Sequence, residues 1–248
     1  MKTIVKLQFY FLLIGLIAIL SNGCTLFDDS IPKNCTSTAI FNPSLVYGTM
    51  TDQEGNTYKT ITIGTQTWMA ENLRTTTYRD GSPIPRVKDE KKWEELSTGA
   101  RCTYENTTDK DTICTYGRLY NWYTVSDSRN IAPEGWHIPT RAEWAILRDF
   151  LGGEDVAGGK MRETGTIHWD PPTTATIATN ESGFTALPSC SRGVLNIISS
   201  DYRKCAYYWS STEYEAPNAW IFSLTTYYDS GILISKKTDG FAIRCIKD

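Results

Sequence analysis

The sequence predicts an α+β domain built from short antiparallel strands, one capped helix near residues 140–151 and long irregular loops. Three observations predict it. Period-two alternation marks Tyr58 to Ile63 and most of the C-terminal third, a strong helical stripe follows Thr140, and turns rich in Gly, Asn, Asp and Ser separate these segments. The composition is that of a globular chain: 248 residues, 40% hydrophobic, 21% charged, net charge −3. Those values exclude a disordered tail, a multi-span membrane protein and a basic nucleic-acid binder. Two His against eight Trp and fourteen Tyr leave little room for imidazole metal sites or relays.

The first segment reads as an address. Lys2 and Lys6 precede a run of twelve apolar residues from Phe9 to Leu20. A spanning helix needs about 20 residues, so the run predicts an export signal over residues 1–23. It ends in Leu20-Ser21-Asn22-Gly23-Cys24, which is similar to a bacterial lipobox, although Ser21 stands where Leu is usual. A diacylated Cys24 would be the mature N-terminus and would hold the chain on a membrane without spanning it. Plain secretion is the competing reading. Residues 24–45, rich in Ser, Thr, Asn, Asp and Pro without hydrophobic periodicity, are predicted as a tether.

The domain is predicted over residues 46–248, with no internal repeat. Asp52 to Asn56 is a turn around Gly55. Tyr58 to Ile63 and Thr67 to Met69 form a hairpin across Gly64-Thr65-Gln66. Lys88 to Leu96 is a short helix candidate holding Trp93. The main helix opens on a capping box, Thr140 with Glu143. It carries Trp144, Leu147, Phe150 and Leu151 as its apolar stripe and stops at Gly152-Gly153. The last third supplies strands at Tyr207-Tyr208-Trp209, around Trp220, Phe222 and Leu224, and over Ile232 to Ser235 after the turn Asp229-Ser230-Gly231. A final strand puts Phe241, Ile243 and Cys245 on one inward face.

Beyond Cys24 six cysteines remain, an even number in a chain predicted to reach an oxidising compartment. Fifteen connectivities are open. Local stapling favours Cys102 with Cys114 and Cys190 with Cys205, and Cys35 with Cys245 would then join the two ends.

The motifs resemble a known family. Trp68-Met69-Ala70-Glu71-Asn72-Leu73, Tyr116-Gly117-Arg118-Leu119-Tyr120-Asn121-Trp122 and Gly135-Trp136-His137-Ile138-Pro139-Thr140 occur in order. Gly158-Gly159-Lys160-Met161, His168-Trp169, Ala178-Thr179-Asn180, Tyr208-Trp209-Ser210-Ser211 and Gly240-Phe241 with Arg244-Cys245 follow. Together they resemble the Fibrobacter succinogenes major paralogous domain over almost everything after Val46. The resemblance implies a cell-envelope protein of Bacteroidota-like bacteria. It also implies a C-type-lectin-like fold, distantly similar to the formylglycine-generating, sulfatase-modifying enzymes. The ends of that fold lie side by side, which favours the Cys35–Cys245 pairing. Ala132 stands where the family commonly has a Cys, so the usual partner of Cys102 is displaced. Asp28-Asp29 resembles an acidic tag for export to the surface of the outer membrane.

Catalytic chemistry finds little support. The closely spaced thiols of the formylglycine generators are missing, as are a nucleophile elbow, a P-loop, a dinucleotide fingerprint and a zinc-protease motif. His137 and His168 stand in structural-looking contexts, and Glu181, Glu213 and Glu215 offer no visible carboxylate pair. No cofactor and no metal is expected, and the calcium motif of sugar-binding C-type lectins has only a distant echo in Glu215-Ala216-Pro217-Asn218. Exposed aromatics that could stack on a sugar are Tyr207, Tyr214, Tyr227 and Tyr228, with Asn218 and Asp229 as polar partners. The reading is an outer-membrane lipoprotein carrying a non-catalytic binding module for a polysaccharide or a protein. The alternatives are a structural or adhesive envelope component and, behind it, an enzyme related to the formylglycine generators.

Overall fold

A computed structural model describes residues 31, 35–189, 191–193 and 203–248. The export signal, Cys24 and the pairing of Cys190 with Cys205 therefore lie outside the described residues. The fold is α+β, with three antiparallel sheets and short helices.

The first sheet begins with β1 (Gly48–Thr51), β2 (Thr57–Ile63) and β3 (Gln66–Met69). Asp52 builds the β1–β2 turn. Its Oδ1 accepts the N–H groups of Glu54 and Asn56, both at 2.9 Å, and its Oδ2 accepts the Tyr58 hydroxyl at 2.7 Å. Such a turn-side carboxylate replaces the backbone pairing that the turn itself cannot make. The C-terminal strand β10 (Ile246–Lys247) then inserts between β3 and β6 (Trp136–His137), with Ile246 opposite both Trp68 and His137. Sheet order is β1-β2-β3-β10-β6, so the end of the chain is hydrogen-bonded to the start of the domain.

The second sheet is β7 (Cys205–Glu213), β8 (Asn218–Thr225) and β9 (Ser230–Lys236), in that order. Helix α4 (Arg141–Phe150) lies between the sheets. Its capping box is complete: Thr140 Oγ1 accepts the Glu143 N–H at 3.2 Å, and Glu143 returns a carboxylate oxygen to the Thr140 N–H at 2.8 Å. Trp144 is the joint. Its ring stacks on Phe222 at 4.6 Å and meets Trp68 at 4.7 Å, so a single buried side chain touches both sheets. Around these run the pair β4 (Arg101–Cys102) and β5 (Leu119–Tyr120) and the helices α1 (Glu90–Glu94), α2 (Lys110–Tyr116), α3 (Trp122–Val125) and α5 (Ala157–Met161).

Alternation misleads in β7 and β8 because these strands are covered on both faces. Trp209, Ala219 and Ile221 join one core, and Tyr208, Phe222 and Leu224 join the other. Trp220, expected inside, is only half-buried, because it lies at the start of β8 beside the N-terminus of α4. Phe150, expected in the helical stripe, is 63% exposed. Leu147 and Leu151 take the inward positions, and the Phe150 ring lies across Gly64, 3.0 Å from where a Cβ would stand.

Two expectations about the N-terminal segment are corrected. Residues 35–45, read as part of the tether, pack on the domain, with Phe41 and Leu45 against the second core. The disulfide is Cys35–Cys114, with Cα atoms 5.6 Å apart, and neither Cys35–Cys245 nor Cys102–Cys114 forms. The reason is placement. The strap formed by residues 35–45 passes over α2, where Cys114 sits, whereas Cys245 lies within the first core and Cys102 within a third cluster with Trp93 and Leu119. Cys102 and Cys245 are buried free thiols, and burial pushes both above the ordinary thiol range. Such thiols stay protonated and unreactive.

Candidate binding surfaces

The strap is tied down by a chain of hydrogen bonds. Thr115 Oγ1 accepts the Thr38 N–H at 3.1 Å, and the hydroxyls of Thr38 and Thr115 lie 3.0 Å apart. Thr38 Oγ1 is 3.1 Å from His168 Nε2, and His168 Nδ1 is 2.7 Å from Glu163 Oε2. Glu163 Oε1 takes the Ile40 N–H at 2.5 Å. The Glu163 carboxylate accepts from His168 Nδ1–H, and the Thr38 hydroxyl bridges His168 Nε2 and the Thr115 hydroxyl. The order of groups is that of a nucleophile relay, but each member is committed to the strap. Glu163 is fully buried and His168 is 7% exposed. Sequence reasoning places His168 in a structural context and misses its partners, since Thr38 is 130 residues away.

His137 is the second buried-edge histidine. Nδ1 lies 2.7 Å from Asp248 Oδ1 and Nε2 lies 2.8 Å from Glu143 Oε1. Burial disfavours the charged ring, yet the two carboxylates outweigh it and raise its pKa, while Glu143 is lowered. The ring thus pins the chain terminus to the capped end of α4. Among the described residues no group of three His, Cys, Asp or Glu could hold a metal ion.

The predicted ligand-contact residues fall into separate groups. Tyr214 and Asn218 meet at the β7–β8 turn, where the Tyr214 N–H donates to the Asn218 carbonyl at 3.2 Å. Tyr214 is 38% exposed and meets Trp220 edge-on at 5.2 Å, and the Arg141 guanidinium lies 4.4 Å over the Trp220 ring. Lys237 and Glu213 pair beside them. Tyr227 and Tyr228 are exposed at the opposite end of β8, in the β8–β9 turn. Asp229 is buried and committed: it takes the Thr176 N–H at 3.1 Å and hydroxyl at 2.5 Å and faces Arg162 at 3.4 Å. Tyr207 is half-buried against Phe241 at 5.4 Å. Trp220 and Arg141 are not among the predicted contact residues, since alternation assigns Trp220 inward.

The shared motifs work inside the protein. Arg244 is fully buried and lies 4.4 Å over the Phe184 ring. It donates from Nε to Asn72 Oδ1 at 2.8 Å and from Nη2 to the Thr185 carbonyl at 2.9 Å. Asn72 Nδ2 reaches the Tyr116 carbonyl at 2.9 Å. The molecule is thus an α+β domain whose motif residues Asn72, Tyr116 and Arg244 build an interior polar frame. The family model for the Fibrobacter succinogenes major domain matches residues 61–247, and the chain belongs to that family. Searches of curated proteins and of solved structures found no match.

Proposed function

We propose that this chain is a lipid-anchored cell-envelope protein of the outer membrane whose domain is a C-type-lectin-like, non-catalytic module that binds polysaccharide. The observation that carries the binding role is the half-exposed Tyr214–Trp220 pair flanked by Arg141 and Asn218. An aromatic face beside a fork of donors and an amide suits a pyranose ring, whose C–H face stacks while its hydroxyls pair. The lectin-like reading is supported by the terminal strand β10 lying between β3 and β6. Export is supported by the disulfide, because such bonds persist in oxidising compartments.

A glycan and polysaccharide array, probed with residues 24–248 carrying Cys24→Ser, tests the reading. Saturable binding to one glycan class, lost in Tyr214→Ala and retained in EDTA, is the expected result. A blank array would overturn the saccharide reading in favour of an architectural role, and loss in EDTA would require a cation.

A further inference from the structure

The strap and the outer face of β1 and β2 enclose a groove of about 460 Å³, within the range of about 300–1,000 Å³ typical of small-molecule sites. Ser37 and Phe41 form its strap wall, and Thr49, Thr57, Lys59 and Glu71 form its floor. The wall stands where it does because Cys35 is bonded to Cys114 and Thr38 to His168.

Lys59 is the unusual member. Its ammonium lies 4.6 Å from the Phe41 ring centroid and 5.3 Å from that of Tyr47, and among the described residues neither a carboxylate nor a hydrogen-bond acceptor holds it. The aromatic faces fix the cation in place without neutralising it. Glu71 differs. Its Oε2 accepts the Lys59 N–H at 2.5 Å and its Oε1 faces the buried Arg74 at 3.6 Å, contacts that hold the carboxylate in place without pairing it to the Lys59 ammonium. The exposed hydroxyls of Thr49 and Thr57 have no partner among the described residues. Ser37 Oγ accepts the Ala39 N–H at 3.1 Å, which leaves its own proton to donate.

We infer that this groove binds an acidic saccharide. Lys59 pairs with a carboxylate or sulfate substituent, and Ser37, Thr49, Thr57 and Glu71 exchange hydrogen bonds with ring hydroxyls. The mixture decides the class. A single open cation among hydroxyls and one fixed acceptor matches a sugar whose anionic groups are separated by neutral hydroxyls. A peptide of adjacent carboxylates would meet Glu71 as a like charge. This site stands apart from the Tyr214–Trp220 patch and does not rest on it.

Isothermal titration of the mature chain carrying Cys24→Ser, with polygalacturonate, alginate, chondroitin sulfate, neutral dextran, sodium sulfate and polyglutamate, tests the proposal. Saturable binding to at least one acidic polysaccharide, and none to dextran, is expected. Lys59→Gln should weaken it about tenfold or more, as loss of a charged hydrogen-bond partner does. Lys59→Arg should stay within about threefold, since it keeps both the charge and the ring contact. In a Tyr214→Ala background the loss caused by Lys59→Gln should persist, which separates failure here from failure of the aromatic patch. Because Lys59 is exposed, its variants should keep the wild-type circular dichroism. No binding to any of the three acidic polysaccharides, wild-type binding by Lys59→Gln, or equally tight binding of polyglutamate or sulfate would each overturn it.

Discussion

Cys35 is bonded to Cys114 across 79 residues, and this bond fixes the strap over α2. A loop of that length is worth about 4 kcal/mol in the chain-entropy account of disulfides. The double variant Cys35→Ser with Cys114→Ser should lower the Tm by several degrees. The strap should also open before the domain does, because the hydrogen bonds of Thr38 and Ile40 and the half-buried Phe41 and Leu45 then hold it without a covalent tie. Hydrogen exchange at Thr38 and Ile40 rising well ahead of exchange in β8 is the expected signature. Uniform acceleration across the domain would show instead that the strap belongs to one cooperative unit with the core.

Much of the architecture is legible in local patterns. The capping box of α4 and the β2–β3 hairpin follow from side chains within about a dozen residues of one another, and both form. What is illegible depends on the other face of an element. Trp220 alternates in register with Phe222, yet only Phe222 finds Trp144 above it. The disulfide partner of Cys35 depends on where the strap crosses, and nothing in the spacing of the cysteines carries that. Tyr214 and Asn218 are legible as neighbours because a turn brings them together. The setting of Lys59 is not legible, because its distinguishing feature is that no carboxylate among the described residues pairs with its ammonium.

His137 and the terminal Asp248 make a pH-dependent contact. The folded pKa of the ring lies above its unfolded value. The stabilisation is therefore complete below the unfolded pKa of about 6.5 and is lost as pH rises through the higher folded value. The ring is more than one-third exposed, so after solvent screening the effect is on the order of 1 kcal/mol or less. His137→Gln should lie further below wild type in Tm at about pH 5.5 than at about pH 8.5. A gap that is the same at both values would show that the charge on the ring contributes nothing.

Asp239 has the same direction of pH dependence for a different reason. Burial pushes its carboxyl up to about 7, against the donations of Ser235 and Lys236 to its Oδ2 at 2.7 and 2.9 Å. Its Oδ1 is buried without a partner. The native state thus holds a proton that the unfolded chain releases near pH 4, so stability falls as pH rises from about 4 through 7. Asp239→Asn stays neutral and keeps an acceptor for both donors. It should melt above wild type at about pH 8.5 and converge with it near pH 4.5. If the Asp239→Asn variant melts lower at both values, the charged form of the wild-type carboxylate is stabilised by its surroundings.

Gly158 shows why the family motif places two glycines together. A Cβ on Gly158 would stand 2.0 Å from the Asp229 carbonyl oxygen and 2.4 Å from its carbon. The obstruction is backbone, and it belongs to the turn that Asp229 closes over Thr176. Neither side can move without breaking those bonds, so Gly158→Ala should cost about 3 kcal/mol, at the upper end of overpacking penalties. Gly165 offers a control. It has φ +82° and nothing within 4 Å of its Cβ position. Alanine there meets only the left-handed backbone penalty of about 1–2 kcal/mol. Urea unfolding should therefore rank Gly158→Ala below Gly165→Ala in midpoint. The reverse order would mean that the α5 backbone shifts freely and that the glycine pair serves something other than the close approach of α5 to the β8–β9 turn.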